Sequence, residues 1–255
     1  MFNRIAGIAV NTFRESVRDR VLAALIIIAI VVMASAKVIQ PVALGEAEKI
    51  VKDLGLSAIT LFCVLIAILV GGRIVYREVE KRTIYLLLSR PVRRTEFIIG
   101  KYLGMMLVLG VSLLILTAGF YLVLVLTGVK PDSRLLLAVV MTGFELAILT
   151  AVAVLFSTFV TPIASAVFTF LIYFIGHSTH LLKQLAAMSP VVAVKFIGLF
   201  LYYLLPNLNN FNIRGDVVHG APLNPLAIVI SIAYALVYTF TLLFIAVVIF
   251  NRRDF

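Results

Sequence analysis

"LLLAVVMTGFELAILTAVAVLFSTFVTPIASAVFTFLIYFIGHSTHLL", from Leu135 to Leu182, runs for 48 residues with Glu145 as its one acidic or basic side chain apart from two histidines. A bilayer hydrocarbon core about 30 Å thick takes about 20 helical residues to cross, so this stretch is too long for one crossing and long enough for two. Pro162 divides it. Proline has no amide donor and disfavours helix in the residue before it, so "STFVTP" reads as a short turn between spans at Leu135 to Phe156 and Ile163 to Leu182.

The same reasoning, carried outward, finds Val21 to Ile39, Leu54 to Gly72 and Tyr102 to Leu126 before the opening stretch and Leu226 to Phe250 after it, six spans in all. Composition agrees: 63% of the 255 residues are hydrophobic and 13% charged, with a mean hydropathy of +1.15, far from soluble composition. There is no internal repeat and no connection long enough for a soluble domain, so residues 1–255 form a single transmembrane domain. The net charge of +10 raises nucleic acid as a partner, but the basic residues flank apolar runs, where membrane lipid headgroups and topology account for them; no nucleic acid is expected. Cys63 is the only cysteine, which excludes an intrachain disulfide.

Fourteen of the 22 Lys and Arg fall on one side of the six spans and eight on the other. The richer side carries both termini and the connection from Arg73 to Phe97, and is expected to be cytoplasmic; the membrane is expected to be the cytoplasmic (inner) one. "ASA" at Ala34 to Ala36 has the small residues of a signal-peptide cleavage site, but the polar region before that apolar run is too long, so no cleavage is expected. Within residues 1–20, Phe2, Ile5, Ala6, Ala9, Phe13 and Val17 recur at spacings of three and four, the pattern of a helix lying in the membrane interface. On the outer side, residues 183–224 form the longest connection. Its "VVAVKFIGLFLYYLL", Val191 to Leu205, is too short to cross and carries Lys195, so it is expected to be a re-entrant or interfacial helix.

The chain lacks G-x-x-x-x-G-K-[ST], H-E-x-x-H, C-x-x-C and G-x-S-x-G, so no catalytic apparatus is expected on it and it is not read as an enzyme. Two polar features near the membrane stand out. Glu145, in the middle of the fourth span, either lines a substrate or ion path or is a hydrogen-bonded acid that fixes helix packing. His177 and His180, one helical turn apart, with His219 in the next connection, have the spacing of a metal pair, but no cysteine or carboxylate beyond Asp216 completes a set, and no metal site is expected.

Between the second and third spans lies "EVEKRTIYLLLSRPVRRTEFIIGK", Glu78 to Lys101. Val75, Val79 and Leu86 keep a helical spacing while Arg77, Glu78, Lys81 and Arg82 form a polar arc, and Pro91 ends the pattern. The alternation of acid and base exceeds what topology requires and suits the docking of a protein partner. Here the sequence resembles the permease subunits of type-2 ATP-binding-cassette (ABC) exporters, whose corresponding loop reads E-x-E-x-G-T-x-x-x-L-L-S-x-P-V, then R-x-E and G-K. The chain supplies Glu78, Glu80, Thr83, Leu87, Leu88, Ser89, Pro91, Val92, Arg94, Glu96, Gly100 and Lys101 in that order, and departs at Arg82, where the family has glycine. "FSTFVTPIASA" and the terminal "FNRRDF" are further echoes.

The resemblance implies an all-α membrane fold: six transmembrane helices, an N-terminal interfacial helix, a cytoplasmic coupling-helix loop at residues 73–97 and an external re-entrant hairpin. It implies a permease homodimer, each copy bound to a separately encoded cytoplasmic ABC ATPase that holds the ATP and Mg, with Glu78, Glu80, Thr83, Ser89, Pro91, Arg94 and Glu96 coupling to it. Two other readings stay open. One is a secondary transporter or channel using Glu145; the other is a membrane assembly factor driven by the same kind of ATPase, marked by an extracytoplasmic partner at the outer hairpin.

Overall fold

The computed structural model describes residues 2–40, 46–76, 93–179, 183–184, 188 and 192–252, with side chains at 3–40, 46–76, 93–179, 183–184, 188 and 195–252. Among the described residues the chain is helical throughout, without strands: α1 Phe2–Val17, α2 Arg20–Ile39, α3 Ala47–Gly71, α4 Arg94–Thr127, α5 Ser133–Ser157, α6 Pro162–His177, α7 Val192–Leu204, a 3-10 turn Leu208–Phe211, α8 Arg214–His219 and α9 Pro225–Asn251. Five of these, α2, α3, α4, α5 and α9, are long and apolar enough to cross a membrane. The expected fifth span appears as the 16-residue α6, about 24 Å at 1.5 Å per residue, which ends at His177.

Local chemistry explains the boundaries. Asp19 accepts from the Val21 amide, Asp132 from the Arg134 amide and Asn224 from the Leu226 amide, each satisfying a donor that a helix start leaves bare. Pro162 and Pro225 are the first residues of α6 and α9, where the missing amide costs nothing and the fixed φ suits the helix. They start the helices that follow more than they stop those before.

α3 and α5 form the centre of the bundle and run parallel: Thr60 lies beside Thr142 and Gly71 beside Ala153. α4 runs antiparallel to α3, since Gly71 meets Met105 and Gly55 meets Phe120. α2 buries only a stripe, Leu22, Ala29, Met33 and Ala36, and α9 buries Ser231, Ala235, Thr239, Ala246 and, near its end, Phe250 while Val237 and Phe240 are 68% and 74% exposed. An exposed face of this kind has lipid as its solvent.

Two differences from the sequence reading concern the same place. The third span was expected from Tyr102, but α4 begins at Arg94 and continues for 34 residues, about 51 Å and well beyond the hydrocarbon thickness. Its first turns therefore outrun the ends of α3 and α5, and α1 packs along them. The packed face of α1 is Ala9, Thr12 and Ser16, with Ile5, Ile8 and Phe13 half-buried, not the purely apolar set: Ala6 is exposed and Val17 is 47% exposed. Gly100 and Gly104 admit this contact. A Cβ at Gly104 would lie 2.6 Å from the Thr12 Cβ and 2.7 Å from the Ala9 carbonyl oxygen, so the small-xxx-small pair lets two backbones touch.

Candidate functional site

Two places gather polar chemistry. The first is where the Arg73 to Phe97 connection leaves and re-enters the bundle. Residues 77–92 lie outside the described residues, and with them Glu78, Glu80, Thr83, Ser89 and Pro91; both ends are described.

At the exit, the Arg73 guanidinium donates to Asp19 Oδ2 at 3.0 Å and to the Leu69 carbonyl at 2.7 Å. The other oxygen of Asp19 caps α2, so one carboxylate joins the α1–α2 elbow to the end of α3. At the return, the Arg93 amide donates to Glu96 Oε2 at 3.1 Å, half of a capping box that turns the chain into α4. Glu96 is 3% exposed, its carboxylate turned onto the backbone. Arg94 donates to the carbonyls of Phe250 and Asn251, both at 3.0 Å. A cation at a helix C-terminus satisfies carbonyls that lack helical partners and complements the helix dipole. Phe97 stacks on Phe250 with ring centroids 5.7 Å apart, and the buried Lys101 places Nζ 5.6 Å from the Phe97 ring. The described end of the loop motif thus binds α4 to α1 and α9.

The second place is a cavity of about 280 Å³ between α3, α5, α6 and the limb from Leu208 to His219. That limb belongs to the long outer connection of residues 183–224, in which sequence reading placed no element beyond Val191 to Leu205. It is a packed element instead: Leu208 and Phe211 are fully buried, and Val217 and Val218 are buried. The backbone at Gly176 admits it, since a Cβ there would lie 2.8 Å from the Pro206 carbonyl oxygen. Hydrogen bonds fix it on both sides: Thr179 to Asn207 Oδ1 at 3.0 Å, the Asn207 amide to the Tyr234 hydroxyl at 3.0 Å, and the Tyr238 hydroxyl to the Leu204 carbonyl at 2.7 Å.

Glu145 faces the cavity and is 2% exposed. Its Oε1 lies 3.5 Å from His177 Nε2, too long for a good hydrogen bond, and has no hydrogen-bond partner. His177 Nδ1 is 3.3 Å from the Tyr173 carbonyl, and the two rings lie tilted by 50° with centroids 4.6 Å apart. Arg214 crosses from the limb to α3, donating to Ser57 Oγ at 2.9 Å and pairing with Asp53 at 3.4 Å. Sequence reading singled out Glu145 and His177 without joining them; it missed Arg214, Ser57 and Asp53, which are scattered in sequence and meet only because the limb folds back.

His219 bonds to the Gly215 carbonyl of its own helix and lines a separate pocket with Lys49 and Asp53. His180 lies outside the described residues. No cluster of three His, Cys, Asp or Glu side chains suited to a metal occurs among the described residues.

The model of one family, ABC-2 family transporter proteins, matches residues 6–255. The chain belongs to this family. It is a multi-pass membrane protein and a permease of an ABC transporter, the transport subunit and not itself the catalytic one. No curated protein matches the chain.

Proposed function

We propose that this ABC-2 permease works as a dimer of identical chains in the inner membrane, termini in the cytoplasm, and exports its substrate with energy from a separately encoded ATPase that carries ATP and Mg. One observation supports the coupling route above the others. The connection between α3 and α4 is tied at its exit to the α1–α2 elbow through Arg73 and Asp19, and at its return to the end of α9 through Arg94. A partner pushing on this connection would displace three parts of the bundle together. Glu78, Glu80, Thr83, Ser89 and Pro91 then form the docking surface, while Arg94 and Glu96 transmit from behind it. Two arrangements of the bundle, biased by ATP in the partner, give alternating access, and Glu145 stands on the translocation path.

Co-expression with candidate ATPases tests this directly. A stable complex in mild detergent, with ATP-dependent export in vesicles, is the expected result; transport without ATP by the purified chain alone would sink the reading and favour a secondary transporter.

A further inference from the structure

Of the cavity between α3, α5, α6 and α8, the wall made by the first three helices offers hydrogen-bond acceptors with little to accept, while Asn212 and Arg214 line it from the limb. Thr60 and Thr142 direct their hydroxyl hydrogens to carbonyls one turn back in their own helices, at 3.0 and 3.1 Å. Their oxygens lie 3.4 Å apart, where either hydroxyl can donate to the other, and each keeps lone pairs free for a donor in the cavity. If His177 Nδ1 carries the proton it would give to the Tyr173 carbonyl, Nε2 is a bare acceptor, and it faces another acceptor, the unpartnered Oε1 of Glu145. The charges are unequal too. Arg214, which also lines the cavity, pairs with the half-exposed Asp53, and among the described residues no lysine or arginine makes an ion-pair contact with the buried Glu145 carboxylate, an arrangement costing several kcal/mol unless a countercharge comes closer.

A guest that satisfies this wall needs one positive charge and several N–H donors on one small group. We propose that the cavity binds a protonated primary amine, its ammonium group against Glu145, His177 and the paired threonines. A single proton shared between Glu145 and His177 would satisfy that pair alone and bring no donor to the free lone pairs of the threonine oxygens. The volume of about 280 Å³ equals roughly nine waters' share of liquid volume, which admits the ammonium group with a short alkyl or hydroxyalkyl chain, whether as a free amine or as the amine headgroup of a phospholipid. The inference rests on Glu145 being a path residue only for its role in transport. Binding is measured on the chain alone, so a failed transport assay and a failed binding assay are told apart.

Cys63, the only cysteine and fully buried one turn from Thr60, supplies the readout, because a thiol-reactive fluorophore labels it only as the chain unfolds. The full chain in neutral detergent at pH 7 is heated with n-butylammonium, tetramethylammonium or butanol at equal millimolar concentrations. The expected result is a midpoint raised by several degrees with n-butylammonium alone, and no such shift in Glu145→Gln, which keeps the shape and removes the charge. Thr60→Val with Thr142→Val, should Glu145→Gln fail to fold, is expected to weaken the apparent affinity about tenfold. In nanodiscs the source is read: a headgroup ligand makes wild type more stable in phosphatidylethanolamine than in phosphatidylcholine and blunts its response to added butylammonium, whereas a free-amine site responds equally in both. No shift with any probe, equal shifts with tetramethylammonium or butanol, a shift retained in folded Glu145→Gln, or an unchanged apparent affinity in the double valine variant overturns the proposal.

Discussion

Asp19 and Arg73 stand 54 positions apart in the chain and meet at 3.0 Å, and the same Asp19 carboxylate that holds the arginine also caps the first turn of α2. The two jobs are separable by mutation. Asn caps helices about as well as Asp, so Asp19→Asn should cost stability by no more than about 1 kcal/mol, while Asp19→Ala, which loses the cap as well, should cost about 1 kcal/mol more. Thermal unfolding read by Cys63 labelling checks both. If the elbow carries coupling, substrate moved per ATP falls in both variants by a similar factor, because both lose the Arg73 contact.

The contact between α1 and α4 gives a second expectation. Exchanging a glycine in a helix for alanine ordinarily gains up to about 1 kcal/mol in propensity, and Gly110, with open space around it, should show that gain. Gly104→Val should instead lose stability, since the Cβ position is already occupied by Thr12 and the Ala9 carbonyl. Trypsin cleavage at Arg14 and Arg18 should accelerate as α1 detaches, and unchanged cleavage would show that the helices do not need this approach.

Arg94→Gln removes a cation and two hydrogen bonds from the carboxyl end of α9, for a loss of about 1–3 kcal/mol. Arg94→Glu should cost more, because it sets a carboxylate against those carbonyls. On the proposed coupling route, Glu80→Lys weakens ATPase binding with no change in the permease's unfolding midpoint, whereas the Arg94 variants lower the midpoint and leave ATPase binding partly intact. Pull-down together with thermal unfolding separates the two.

Gly176→Leu should lift the limb over the cavity, because Leu208 and the Pro206 carbonyl occupy the space a side chain would take. Amide hydrogen exchange in residues 208–219 is expected to quicken at least tenfold, equivalent to about 1.4 kcal/mol of local stability. An unchanged rate would mean the limb is held by the hydrogen bonds of Asn207, Tyr234 and Tyr238 alone.

Much of this bundle is legible in the sequence because lipid imposes a simple rule: runs of 20 apolar residues must be helices, and Pro162, Pro225, Asp132 and Asn224 mark where they begin. What escaped has equally physical reasons. The contact face of α1 depends on Thr12 and Ser16, small enough to let backbones touch, and a search for apolar periodicity passes over them. The polar start of α4 reads as loop because Arg94 and Glu96 look like surface charge until α9 supplies carbonyls for one and the Arg93 amide accounts for the other. The cavity needs Asp53, Ser57, Glu145, His177 and Arg214 from four elements, and only the returning limb brings the last of them to the first two. The motif of residues 78–101 pointed to the family correctly, though its last members, Gly100 and Lys101, turn out to hold helices together.

α4 is a single helix from Arg94 to Thr127, with no proline and no backbone break to absorb a bend. Phe120, fully buried against Gly55, is a tight contact close to its far end. Arg94 lies about 39 Å from that contact and Thr127 about 10 Å beyond it, so a swing about Phe120 has a mechanical advantage of nearly four. On the proposed coupling route, such a first-class lever would trade a wide stroke at the arginine for a short, forceful one at the opposite tip, where Gln40, just past α2, donates to the Thr127 carbonyl at 3.0 Å.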